Sequence, residues 1–125
     1  MASKYIFGTR SEGHLVGVAE PLVRVVRLAL DLGVMDFAVI DGRRGELEQR
    51  EAFRSGTSQV DWPDSQHNAF PLSLAVDLAP WPIQWEDTER FYQLAGVMLS
   101  AASLEGVELD GGYAWRWDVG HYEVR

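Results

Sequence analysis

The sequence predicts an α+β fold: a small antiparallel sheet with helices packed against it and a metal site in a surface cleft. Three observations lead there. Two segments carry helical periodicity, at 21–32 and 87–104. Short β-type runs lie between and after them, at 36–40, 74–78 and 121–124. The mixture of helices and short strands suggests helices packed on a small antiparallel sheet.

Residues 1–19 show no clear period and read as an irregular lead-in. Pro21 suits the first turn of a helix. Leu22, Val25, Val26, Leu30 and Leu32 then recur densely, with Leu28 beside them, which predicts a helix packed into the core. Gly33 is its stop signal. Asp36 to Ile40 reads as a strand and Asp41-Gly42 as a turn. Glu46 to Phe53 reads as a short helix closed near Gly56.

Residues 56–73 are rich in Gly, Ser, Pro and Asn and read as one long loop, a place where function often resides. Leu74 to Leu78 is a second strand, followed by a turn at Pro80 and Pro82. From Asp87 to Leu104, Phe91, Leu94, Ala95, Met98, Leu99 and Ala102 recur at helical spacing, and Gly106 ends the run. Val107-Glu108-Leu109 reads as a short strand, Asp110-Gly111-Gly112 as a turn, and His121 to Val124 as a last strand.

The 125 residues fit a single domain spanning 1–125. A hydrophobic fraction of 46% supports a real core. With no cysteine, disulfides and thiolate metal sites are excluded, so a metal must be held by His, Asp and Glu. The 19 acidic and 11 basic residues leave a net charge of −8. That balance argues against nucleic acid as a partner and against electrostatic attachment to an anionic membrane. No apolar stretch approaches the ~20 residues that span a bilayer, and no export signal is visible.

His67, Asp77 and His121 are the candidate metal ligands. Asp77 sits between Val76 and Leu78 in an apolar run, where an unpaired carboxylate would be costly. Strand alternation points it away from the face of its neighbours. Metal ligation resolves its burial, as a salt bridge or hydrogen bond would. His121 and Glu123 share one face of the last strand, and Asp118 lies just before it. His14, with only Gly13 and Leu15 around it, reads as structural or exposed. Two imidazoles and a carboxylate match a catalytic zinc site that keeps one position open for water.

At these residues the sequence resembles the zinc peptidases that cut bacterial peptidoglycan stems, the D-alanyl-D-alanine carboxypeptidases and phage L-alanyl-D-glutamate endopeptidases. The resemblance rests on Ser65-x-His67, then Ala75-x-Asp77-x-x-Pro80, then Asp118-x-x-His121-Tyr122-Glu123. Upstream, Gly42-x-Arg44, Gln49, Gly56 and Ser58 also match, so the likeness runs in order over roughly 35–125. Phe7-Gly8 and Leu22-Val23 look, more weakly, like the short phage endolysins. Two departures stand out. His67 and Asp77 are ten apart, wider than in many members, with the extra residues at Phe70-Pro71-Leu72. The usual Gly-Gly-Asp-Trp is replaced by Gly111-Gly112-Tyr113-Ala114-Trp115.

The resemblance implies that His67, Asp77 and His121 hold Zn²⁺. It implies Asp118 as general base and Arg44 as stabiliser of the developing oxyanion. Read without it, Arg44 is a surface arginine of the Arg43-Arg44 pair. Glu123 either competes for the base role or orients a ligand. Ser65 is expected to donate a supporting hydrogen bond. The five tryptophans are expected mostly in the core or as loop anchors, with Trp115 and Trp117 flanking a substrate groove.

The function implied is an endolysin, a monomer that hydrolyses the L-Ala–D-Glu bond of the peptide stem. It would be made in the host bacterial cytoplasm and reach the periplasm or wall once a partner permeabilises the membrane. A carboxypeptidase or dipeptidase acting on D-Ala-D-Ala is the second reading, and a non-catalytic zinc-stabilised binding domain the third. After Arg54 only Arg90, Arg116 and Arg125 are cationic. That scarcity of groups to grip a terminal carboxylate favours the endopeptidase.

Overall fold

A computed structural model describes residues 4–125. Helices α1 (Thr9–Leu15) and α2 (Glu20–Asp31) precede strand β1 (Phe37–Asp41) and helix α3 (Glu46–Arg54). A 3₁₀ turn at Gln66–Asn68 leads into β2 (Ala75–Pro80). The long helix α4 (Thr88–Glu105) is followed by β3 (Asp110–Gly111), α5 (Gly112–Trp115) and β4 (His121–Glu123). The four strands form one antiparallel sheet in the order β1-β2-β4-β3. The expected α+β architecture is therefore the observed one.

The core lies between one face of that sheet and the α2–α4 pair. Leu22, Val25 and Val26 of α2 meet Leu94 and Met98 of α4 above Val39, Val76, Leu78 and Tyr122 of the sheet. α2 is amphipathic rather than buried all round: Leu32 is exposed and Arg24 and Arg27 form surface ion pairs. Asp87 caps α4, its carboxylate accepting from the Arg90 N–H. Gly106, at φ 68°, ends the helix in the left-handed region.

Several local expectations change. The lead-in contains α1, whose buried Ser11 hydroxyl accepts from the Val39 N–H at 3.0 Å. The helix thus covers the outer edge of β1, a tertiary reason that propensity does not show. Val107 is no strand: its N–H bonds the Ala102 carbonyl and closes the α4 exit. The strand sits instead at Asp110–Gly111, where a turn was expected, and pairs with Glu123 and Tyr122. None of the five tryptophans is a buried core residue.

Candidate metal-dependent active site

The site forms where β2 and β4 lie side by side. Their register sets Asp77 opposite His121. Val76, Leu78 and Tyr122 turn into the core, so Asp77 and His121 turn to the other face. His67 arrives from the 3₁₀ turn, which Ser65 caps by accepting from the His67 N–H. In this cap the Ser65 hydroxyl acts as an acceptor.

His67 Nε2 lies 3.3 Å from Asp77 Oδ1, and His121 Nδ1 lies 3.1 Å from the same oxygen. One ligand atom from each of the three residues falls within 4.8 Å of the others, a spacing that can hold a metal ion. The outward nitrogens are already engaged. His67 Nδ1 is 2.6 Å from the Gly42 carbonyl, and His121 Nε2 is 2.8 Å from Glu123 Oε1. Such bonds fix the tautomer and aim the free lone pair inward. His67 is 2% exposed, and its Nε2 is buried without a hydrogen-bond partner. A buried nitrogen left bare is costly, and a metal at this point would satisfy it. The donor set fits a hard-to-borderline cation of the zinc type.

Electrostatics agree. Burial alone would raise the Asp77 pKa, but the hydrogen bond from His121 and the imidazole of His67 beside it hold the carboxyl well below its ordinary range. Burial works against a charged His121, yet its bond to Asp77, supported by Glu123, raises its pKa. Burial raises the Asp118 pKa, as does the nearby Asp77 charge, against the opposing pull of His121, His67 and Arg44. Asp118 Oδ2 stands 3.9 Å from His121 Nδ1, beside the cluster and partly open to solvent. Its backbone adopts φ 50°, in the left-handed region that Asp tolerates better than most residues.

Arg44 is not a surface residue. Its Nε donates to Asp41 at 2.6 Å, its Nη2 to Asp77 Oδ2 at 2.9 Å and its Nη1 to Gln49 at 3.3 Å. Of five guanidinium N–H groups, these bonds leave one on each terminal nitrogen. Gln49 is fully buried and also joins Ser58, Val60 and Asn68, tying α3 to the following loop. Asp41 was missed as a functional residue. Its place in an Asp-Gly turn hid the signal, which was an acid three residues before Arg44.

A cavity of about 280 Å³ opens on the cluster, with the 57–66 segment on one side and Trp115 and Trp117 on the other. Trp115 also packs against His121, with ring centroids 5.5 Å apart. The structure therefore brings together all five site residues expected from sequence: His67, Asp77, His121, Asp118 and Arg44.

Comparison with known proteins identifies the family. The family model described as phage L-alanyl-D-glutamate peptidase matches residues 3–124. The L-alanyl-D-glutamate peptidase of Escherichia phage T5 is 30% identical, covering 94% of this chain and 96% of that protein. The crystal structure of the Serratia marcescens L-Ala D-Glu endopeptidase ChiX superposes with a TM-score of 0.81 and 35% identity, over 95% of this chain and 89% of that one. With a family match across nearly its whole length, the chain belongs to the phage L-alanyl-D-glutamate peptidases.

Proposed function

We propose that this protein is a zinc-dependent endolysin that hydrolyses the L-Ala–D-Glu bond of the peptidoglycan stem, with His67, Asp77 and His121 as the zinc ligands. The observation that carries the metal is the convergence of three ligand atoms on a buried, unpartnered His67 Nε2. The family carries the bond. When bound, zinc supplies Lewis acidity, lowering the pKa of water and polarising a carbonyl.

The chain's own groups do the rest. Asp118 takes a proton from the attacking water and returns it to the leaving D-Glu amine. Arg44 holds Asp77 in place and directs its remaining N–H groups at the developing oxyanion. Glu123, engaged with His121 Nε2, orients that imidazole. The protein works as a monomer in this reading. It passes from the host cytoplasm to the wall through a membrane opened by a separate partner.

Digestion of purified muropeptides tests the reaction. The expected products carry a new D-Glu amino terminus. Release of D-Ala with L-Ala–D-Glu bonds intact would instead establish a carboxypeptidase. Gently purified protein should contain about one zinc per chain. Protein with no metal and no affinity for added zinc would remove the metal assignment.

A further inference from the structure

β1 and β2 fall out of regular register where they reach the cluster. Val39 pairs with Leu78 and Asp41 with Asp77, so Ile40 is an extra residue in β1. Regular pairing would set Ile40 opposite Asp77, and Asp41 opposite Val76 on the core face. The bulge instead brings the Asp41 carboxylate to the face that carries Asp77. Bulges commonly re-aim a side chain in this way beside an active site.

Both oxygens of that carboxylate are used. Oδ1 accepts from the Gly42 N–H at 3.0 Å, and Oδ2 accepts from Arg44 Nε at 2.6 Å. The turn that carries Asp41 is itself fixed on two sides. A Cβ on Gly42 would fall on the His14 carbonyl, so α1 backs the turn closely. Opposite, the Arg44 N–H donates to the His67 carbonyl at 3.0 Å, and Asn68 Nδ2 donates to the Arg44 carbonyl at 3.1 Å. Asp41 therefore grips the guanidinium from a fixed position, through a charge-assisted bond.

Arg44 lines the cavity over the cluster, and Asp41 does not. An effect of Asp41 on the reacting atoms must then pass through Arg44. Asp41 fixes the Nε end, while Asp77 Oδ2 and Gln49 Oε1 take one N–H from each terminal nitrogen. Three anchors in one plane set the orientation of the group, so its two remaining N–H groups keep one direction. Without the Nε anchor the guanidinium can turn and grip Asp77 with two N–H groups, the pairing it favours with a carboxylate. That would draw donors away from the cavity.

We propose that Asp41 is a positioning residue for the hydrolysis, acting through Arg44, whose free N–H groups it holds on the developing oxyanion. The proposal rests on the peptidase reading above. Asp41→Asn keeps the side-chain shape and an acceptor oxygen but lacks the charge that grips Nε. It should keep its zinc, leave KM within about 2-fold and lower kcat by about 10- to 100-fold. A phosphinate in place of the scissile amide mimics the tetrahedral oxyanion. Calorimetry should find it bound about 10- to 100-fold more weakly by Asp41→Asn, with the cleavage products bound as in wild type. In an Arg44→Met background, which keeps the stem of the side chain, Asp41→Asn should cost less than about 2-fold in kcat/KM, because the group it acts on is gone. Unchanged kcat or unchanged phosphinate affinity in Asp41→Asn would overturn the proposal. Loss of zinc would overturn it too, by placing Asp41 in the metal cradle, and so would an undiminished loss of kcat/KM in the Arg44→Met background. Each of these results leaves the peptidase reading standing where wild-type protein cuts the stem. Wild-type protein that neither cuts the stem nor binds the phosphinate overturns both.

Discussion

Each side chain in the site is defined by what its polar atoms are left to do. Asp118 has an open carboxylate, whereas Glu123 is committed to His121 Nε2 at 2.8 Å. Their substitutions should therefore separate. Asp118→Ala should retain zinc and lose about 10²- to 10⁴-fold in kcat. Glu123→Ala should weaken zinc binding by about 10- to 100-fold through a loosened His121. Metal titration of both variants beside kcat measurements checks this. Full zinc affinity in Glu123→Ala together with lost turnover would mean the base had been assigned to the wrong carboxylate. The sequence exposed the candidate ligands because few residue types can serve as ligands in a chain without cysteine. It did not expose Asp41, because a carboxylate beside glycine is equally well explained by a turn.

At the scale of elements, the stretch between α4 and β4 shapes the site most. It makes a strand of two residues, one short helix and two consecutive tight approaches. A Cβ on Gly112 would fall on the Asp118 carbonyl, so that glycine lets the chain fold back against the catalytic segment. Gly112→Ala should displace Asp118 and cost about 1–3 kcal/mol of stability, read as a lower urea midpoint together with reduced kcat. A variant with wild-type stability and turnover would show that the approach is dispensable. This stretch was also where sequence reading failed, placing a strand at 107–109 and a turn at 110–112. Pairing of Asp110 and Gly111 with β4 overrides their weak strand propensity. In the same way, α1 owes its place to the Ser11 bond with β1 more than to its own residues. The long periodic helices were legible because their apolar spacing is itself the reason they pack.

For the whole molecule, the proposed metal would couple to folding. The candidate ligands come from the 3₁₀ turn, β2 and β4, so an ion held there would join segments far apart in sequence. Removing the ion with a chelator should lower Tm by about 15 °C, from ~4 kcal/mol of linkage at a metal concentration 1,000-fold above Kd. Re-addition of zinc should reverse the change, and an unchanged Tm would contradict the linkage. Stability should also fall at high pH. Tyr122 is fully buried with no partner for its hydroxyl, and burial, reinforced by Tyr113, raises its pKa. The phenol is held neutral in the fold but ionises near pH ~10 when unfolded. Its contribution is therefore complete below that pH and lost as pH rises above it. Urea midpoints between pH 8 and 11 should decline in the wild type and decline less in Tyr122→Phe. That variant should be at least as stable at neutral pH, because it removes a buried unsatisfied hydroxyl. An equal decline in both would exclude Tyr122 as the source.

The sequence by itself determined the fold class, the family and the three candidate ligands, because periodicity and ordered motifs are local properties of the chain. Only the tertiary structure decided which oxygen or nitrogen of each residue faces the centre. It alone set Arg44 between Asp41 and Asp77, and engaged Glu123 with His121 Nε2. Those outcomes depend on strand register and on contacts between distant segments, and spacing along one chain does not specify either.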